Sequence, residues 1–169
     1  MPEPKDHYQK RGAVESLLRT IPGFRGYLEK EYRRDSDRLQ REWLADRLQK
    51  SIRKLDEVSR LMADEARIDA LPDCDRLRGR IDRLIGQIRG AMGGYSGFFD
   101  LVDINEATLD RVYDHDVAIM DDVESVAEAV ESLPTDEAAL RKSLGEITRE
   151  VDQLDERWRV RTDILRGLE

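Results

Sequence analysis

From Leu28 to Ile68 the chain runs without a glycine or a proline, and Pro72 is the first residue to interrupt it. Leu28, Tyr32, Leu39, Trp43, Leu44, Leu48, Ile52, Leu55, Leu61, Met62 and Ile68 recur there at spacings that keep one helical face apolar. The pattern predicts a single helix over residues 27–70, about 65 Å long at 1.5 Å per residue. Pro72 disfavours helix at Leu71, and Asp73 is placed to cap a second helix over 73–92, with Leu77, Ile81, Leu84 and Ile88 on its stripe.

"GGYSGFFDLVDIN" then breaks the register with three glycines, and Asn105 or Asp103 is placed to cap a third helix over 105–133. "LPTDE" is a turn in which Pro134 ends that helix and Thr135 caps a fourth, running to about 167 with a heptad-like seam from Leu140 to Leu165. Turns this short force antiparallel neighbours. The expected fold is all-α: an elongated antiparallel four-helix bundle or coiled coil in one helical domain over 1–169. Residues 1–25 form an N-terminal amphipathic segment and elbow, and 26–169 form the bundle.

A charged fraction of 39% with only 6% aromatic residues would suit a disordered chain, but the apolar residues keep strict register, and register decides. The net charge of −8 is unevenly spread: residues 101–133 carry ten acidic side chains and one basic, whereas residues 1–60 carry fifteen basic and eleven acidic. Cys74 is the sole cysteine, which excludes an internal disulfide or a multi-thiolate metal site and fits a reducing cytoplasm. No window approaches the apolar length of a spanning helix. The expected location is cytoplasmic, at most peripheral to the inner face of the membrane.

The aromatic residues fall at Tyr8, Phe24, Tyr27, Tyr32, Trp43, Tyr95, Phe98, Phe99, Tyr113 and Trp158, which an antiparallel bundle gathers at one end. Two glycine-marked loops, "PGFRGY" and "GGYSGFF", would face each other there. Two readings stand: an end-cap minicore, or an exposed partner-binding site made of Phe24, Arg25, Tyr27, Tyr95, Phe98, Phe99 and Asp100. Residues 9–21 offer a second surface. Val14, Leu17, Leu18 and Ile21 share a helical face flanked by Lys10, Arg11 and Arg19, a pattern that either packs back on the bundle or lies on a bilayer.

Catalytic and cofactor chemistry finds little support. A di-iron bundle needs two Glu-x-x-His pairs, and the chain has only His7 and His115, neither in such a motif. In "YDHD" neighbouring side chains point around the helix, so only Asp110 and Asp114 could share an ion. Ser96, His115 and Asp100 lack any nucleophile-elbow pattern, and "GGYSG" lacks the lysine of a phosphate cradle. Arginine clusters at 33–41 and 76–83 are interleaved with acids, which argues against nucleic acid as a partner. No metal and no cofactor is expected.

"IPGFRGYLEKEYRRDSD", "GGYSGFFD" and "LDRVYDHD", in that order, resemble a family of small bacterial and archaeal helical proteins often encoded near stomatin-like (SPFH) membrane proteins. The resemblance covers most of the chain and brings no activity or catalytic residue with it; it implies a scaffold or accessory role near a membrane. The expected function is a non-enzymatic helical adaptor that binds a protein partner through the aromatic end. The alternative is a peripheral membrane coiled coil, able to form homo-oligomers, that docks through residues 9–21.

Overall fold

The computed structural model describes residues 4–91, 97–101 and 104–167, with side chains from residue 12 onward. It is all-helical, with no strand among the described residues: α1 (Pro4–Thr20), α2 (Lys30–Asp64), a 3₁₀ turn (Ile68–Ala70), α3 (Leu71–Gly90), α4 (Gly97–Asp100), α5 (Glu106–Glu131) and α6 (Glu137–Arg166). No helix among the described residues is long and apolar enough to cross a membrane.

The long helix is shorter than its pattern predicts at both ends. It starts at Lys30, not 27: residues 27–29 are bends, and the Tyr27 and Leu28 carbonyls accept from the Arg33 guanidinium rather than from helix amides. It ends at Asp64 rather than 70, where Ala66 takes the left-handed conformation (φ 58°). The Arg67 amide donates to the Met62 carbonyl at 2.8 Å and the Ala66 amide to that of Ala63 at 3.1 Å, the two bonds of a Schellman cap. Ile68, expected on the apolar face, is 63% exposed.

Pro72 does not break helix at Leu71. It lies in the first turn of α3, where its missing N–H would have had no intrahelical partner, and Asp73 sits inside that turn beside the positive helix end. The other caps fall close to expectation. Asn105 Oδ1 accepts from the Ala107 amide at 2.8 Å, and Asp136 rather than Thr135 caps α6, accepting from the Ala139 amide at 3.0 Å.

The residues gather into two compact units: unit 1 from Met1–Trp43, Ala91–Met120 and Arg157–Glu169, and unit 2 from Leu44–Gly90 and Asp121–Glu156. α2, α5 and α6 each contribute residues to both units. Unit 2 has an aliphatic core, in which Leu44, Leu48, Ile52 and Leu55 of α2 are buried with Leu77 and Ile81 of α3 and Leu140 and Leu144 of α6. At roughly 1.5–3 kcal/mol per fully buried side chain, this core outweighs the exposed ion pairs around it. Arg47 is the partial exception: only 17% exposed, it reaches both Glu124 (2.9 Å) and Glu131 (2.6 Å) of α5, and the two carboxylates raise its pKa above the usual arginine value.

In unit 1 the expected apolar face of α2 turns aside. Leu28 is exposed and Tyr32, Leu39 and Trp43 are only half-buried, while Arg33, Ser36, Asp37 and Gln40 are inside. Every described aromatic side chain also belongs to unit 1.

A left-handed alanine is strained where glycine is not. Ala66→Gly is expected to raise unfolding stability by about 1 kcal/mol, read as a higher urea midpoint at unchanged slope; an unchanged or lower midpoint would contradict the Schellman assignment.

Candidate functional site

The "IPGFRGY" elbow is built by its glycines. After α1 the Ile21 amide still reaches back to the Leu17 carbonyl (3.0 Å), and the Phe24 amide to that of Ile21 (3.2 Å). Gly23 and Gly26 then both take positive φ, 82° and 83°. At Gly26 a second reason applies: a Cβ would lie 2.5 Å from the hydroxyl oxygen of Tyr113. The glycine leaves room for that hydroxyl to accept from the Tyr27 amide at 2.8 Å.

Tyr27 is held at all three of its polar atoms. Besides the amide bond to Tyr113, its carbonyl accepts from Arg33 Nε at 2.7 Å and its hydroxyl donates to Asp116 Oδ2 at 2.5 Å. Its ring stacks on Tyr113 (5.4 Å between centroids) and meets the edges of Phe24 and Phe98 at 5.5 and 5.9 Å.

Beneath the phenol lies a buried charge cluster. Arg161 of α6 donates from Nε to Asp116 Oδ1 (2.6 Å), and from Nη2 to Asp37 Oδ1 (2.8 Å) and Gln40 Oε1 (2.7 Å). Asp37 Oδ2 accepts from Arg41 at 2.9 Å, so the cluster pairs two guanidinium groups with two carboxylates. Both oxygens of each carboxylate are engaged; the Gln40 amide nitrogen has no hydrogen-bond partner among the described residues. Burial raises the Tyr27 pKa well above the ordinary tyrosine value, helped by the Asp116 charge and opposed by Arg161. Burial disfavours the Arg161 charge, but Asp116 and Asp37 reverse that effect and hold its pKa well above the usual value. A phenol and a guanidinium that keep their protons, over carboxylates with no open oxygen, make a clamp between helices.

Arg33 makes the link from this clamp to the surface. Its buried guanidinium donates to the carbonyls of Tyr27, Leu28 (3.3 Å) and Leu101 (2.6 Å), with a longer contact to that of Phe98 (3.5 Å). Leu28 and Leu101 are thereby pinned by their backbones while their side chains are 73% and 44% exposed.

The residues singled out in the sequence separate accordingly. Phe24, Tyr27, Phe98 and Phe99 are buried, so these rings are a minicore and not an exposed docking face; their apolar area is satisfied inside unit 1. Arg25 and Asp100 are exposed: Arg25 stacks over Tyr32 (4.7 Å), and Asp100 pairs with Arg34 (2.7 Å). Tyr95 lies outside the described residues. On α1, Leu17 and Ile21 are buried and Val14 is half-buried, leaving Leu18 and Arg19 outward; the side chains of Lys10 and Arg11 lie outside the described residues. An apolar face largely enclosed by the fold is not displayed to a bilayer. His115 is half-buried, which lowers its pKa, and no group of three or more potential ligands is placed to hold a metal among the described residues.

Gln40 and Arg161 did not stand out in the sequence, and Arg33, Asp37 and Asp116 read there only as members of charged clusters, yet a signal was there. Running the Leu48–Leu44 stripe backwards reaches Gln40, Asp37 and Arg33, and the seams of α5 and α6 run through Asp116 and Arg161. Charges of opposite sign in core register on three helices announce a buried pair.

No family model, curated protein or solved structure matches this chain.

Removing one partner of a buried pair strands the other. Arg161→Met is expected to cost about 3–5 kcal/mol in urea unfolding, and adding Asp37→Leu and Asp116→Leu to recover part of that loss, because no carboxylate is then stranded although Arg41 loses its Asp37 partner and the Tyr27 hydroxyl its Asp116 acceptor. A loss below 1 kcal/mol in the single variant would show that the cluster is hydrated.

The second prediction concerns alkaline pH. Tyr27 has a folded pKa above its unfolded value near 10, so its contribution is fully present below pH 10 and is lost as pH rises beyond it. Urea midpoints measured upward from pH 8 should fall above pH 10 in the natural protein and fall less steeply in Tyr27→Phe. Parallel profiles would contradict a buried, protonated phenol.

Proposed function

We propose that the protein is a non-enzymatic helical scaffold that docks a protein partner at the elbow end of unit 1. The observation that supports this reading is the pair of exposed leucines, Leu28 and Leu101, whose backbones the buried Arg33 holds in place. Apolar side chains presented on a rigid backbone lose little entropy on binding, which is what an anchor at the centre of an interface requires. Arg25, Arg34 and Asp100 supply a polar rim. The docking residues of this reading are therefore the two leucines with that rim, in place of the buried rings.

The finer architecture that accompanies it is an antiparallel four-helix arrangement, which the ion pairs of unit 2 support. Arg78–Asp56 and Arg89–Asp46 run α3 antiparallel to α2, and Arg80–Asp152 and Arg141–Asp73 run α6 parallel to α3. A scaffold of this kind fits the cytoplasm or the inner face of a membrane, as the resemblance to proteins encoded near stomatin-like membrane proteins implies. A direct bilayer contact through residues 9–21 is the second reading; it draws on the outward Leu18 and Arg19 and requires Leu17 and Ile21 to leave the interior.

The test is capture from a host lysate by the immobilised full chain and by a Leu28→Asp/Leu101→Asp variant of unchanged thermal stability. A specific partner retained by the first and weakened at least about tenfold by the second is expected. Equal capture by both would reject the leucine site. Salt-sensitive co-sedimentation with anionic liposomes, lost on deleting residues 1–21, would favour the bilayer reading instead.

A further inference from the structure

The way residues 12–29 are attached differs from the way the rest of unit 1 is assembled. Their buried apolar anchors are Leu17, Ile21, Phe24 and Tyr27. Their described polar contacts with the remainder of the unit all fall between Arg25 and Leu28: the Arg25 amide to Ser36 Oγ at 3.0 Å, the three grips on Tyr27, and the Leu28 carbonyl to Arg33. Leu28 and Glu29, which join this segment to α2, are exposed and non-helical. An element whose polar ties are confined to one short stretch, and which is joined through an exposed link, has the anatomy of a separately opening unit.

The groups under Tyr27 favour such opening. Its phenol lies against Asp116, Arg161 and Gln40, each buried at a desolvation cost, and the Gln40 amide nitrogen has no hydrogen-bond partner among the described residues. Water reaching the cluster when Tyr27 leaves would relieve both penalties. α2, α5 and α6 instead bury residues on successive turns within unit 1, as at Leu109, Val112, Asp116 and Ile119 of α5.

We infer that α1 and the elbow that follows it, through Glu29, form a latch that opens as one unit from the remainder of unit 1, with Tyr27 as its catch. Opening uncovers the faces of Phe98 and Tyr113 that Tyr27 packs against and frees Leu28 from one of its restraints. The latch thereby governs the end at which the scaffold docks its partner. That use rests on the adaptor reading; the motion itself does not, and its test needs no partner.

The experiment is native-state hydrogen exchange on the full chain, followed by mass spectrometry of peptides covering 12–27, 109–119 and 158–165. In the natural protein, protection over 12–27 is expected to be at least about tenfold lower than over the α5 and α6 peptides. Tyr27→Phe should lower it about tenfold further over 12–27 while changing the 109–119 and 158–165 peptides far less. Ser36→Ala, which removes only the acceptor of the Arg25 amide, is the milder second variant; it should act on the same peptide and serves alone if Tyr27→Phe does not fold. Equal protection across the three peptides in the natural protein overturns the latch. So does a Tyr27→Phe variant that leaves 12–27 unchanged or that loosens all three peptides together.

Discussion

A guanidinium taken out of water has to be met by fixed charge, and in unit 1 that requirement organises everything around Arg161. Its desolvation is offset only if Asp37 and Asp116 arrive together, one from α2 and one from α5, with Gln40 beside them. Three helices are thereby held to one register, since a slide of one turn along any of them would bury a charge without its partner. Tyr27 closes the arrangement: Asp116 Oδ2 would otherwise face apolar rings, and the phenol is the donor that reaches it. The glycines of the elbow exist for that placement, Gly26 most directly, because any side chain there would displace the Tyr113 hydroxyl that holds the Tyr27 amide.

The two units solve the problem of a charge-rich chain in opposite ways. Unit 2 keeps its charges at the surface and buries aliphatic side chains, so its stability follows apolar area and tolerates the loss of any one exposed ion pair. Unit 1 buries arginine, aspartate and tyrosine with its rings, and trades some of that stability for specificity of register. Stability in unit 1 is correspondingly brittle, because single substitutions within the cluster strand a charge, while conservative changes on its exposed face cost little.

How much of this was legible follows from the same contrast. The helices and their turns could be read, because periodicity and proline placement are local signals: α3, α5 and α6 lie close to the expected ranges, and Asn105 caps α5. What escaped was tertiary. Pro72 reads as a break but is also suited to a first turn, and only the left-handed Ala66, which no residue type announces, ends α2 where it does. The aromatic residues were expected together and do fall within unit 1, yet burial could not be read from their positions. Asp37 and Arg41 read as part of a cluster of interleaved charges; the structure pairs them at 2.9 Å with Asp37 buried and Arg41 half-buried, because the α2 face that continues the Leu44 stripe carries polar residues.

That same face bears on the choice between an adaptor and a membrane-bound protein. A helix destined for a bilayer must keep its apolar residues free or hold them weakly, and the described side chains of α1 and the turn after it offer few: Leu17 and Ile21 are enclosed within unit 1, and among the large apolar ones Leu18 is outward. The elbow end is differently composed. Its apolar surface is carried by residues just outside regular helix, Leu28 and Leu101, on backbones fixed by an arginine that reaches them from inside. A side chain held rigidly from below and bare above is poorly suited to sink among mobile lipid chains but well suited to a shaped protein surface, where preorganisation converts directly into affinity. The buried charge of unit 1 therefore serves the surface as well as the core, since the guanidinium of Arg33 fixes what a partner would meet.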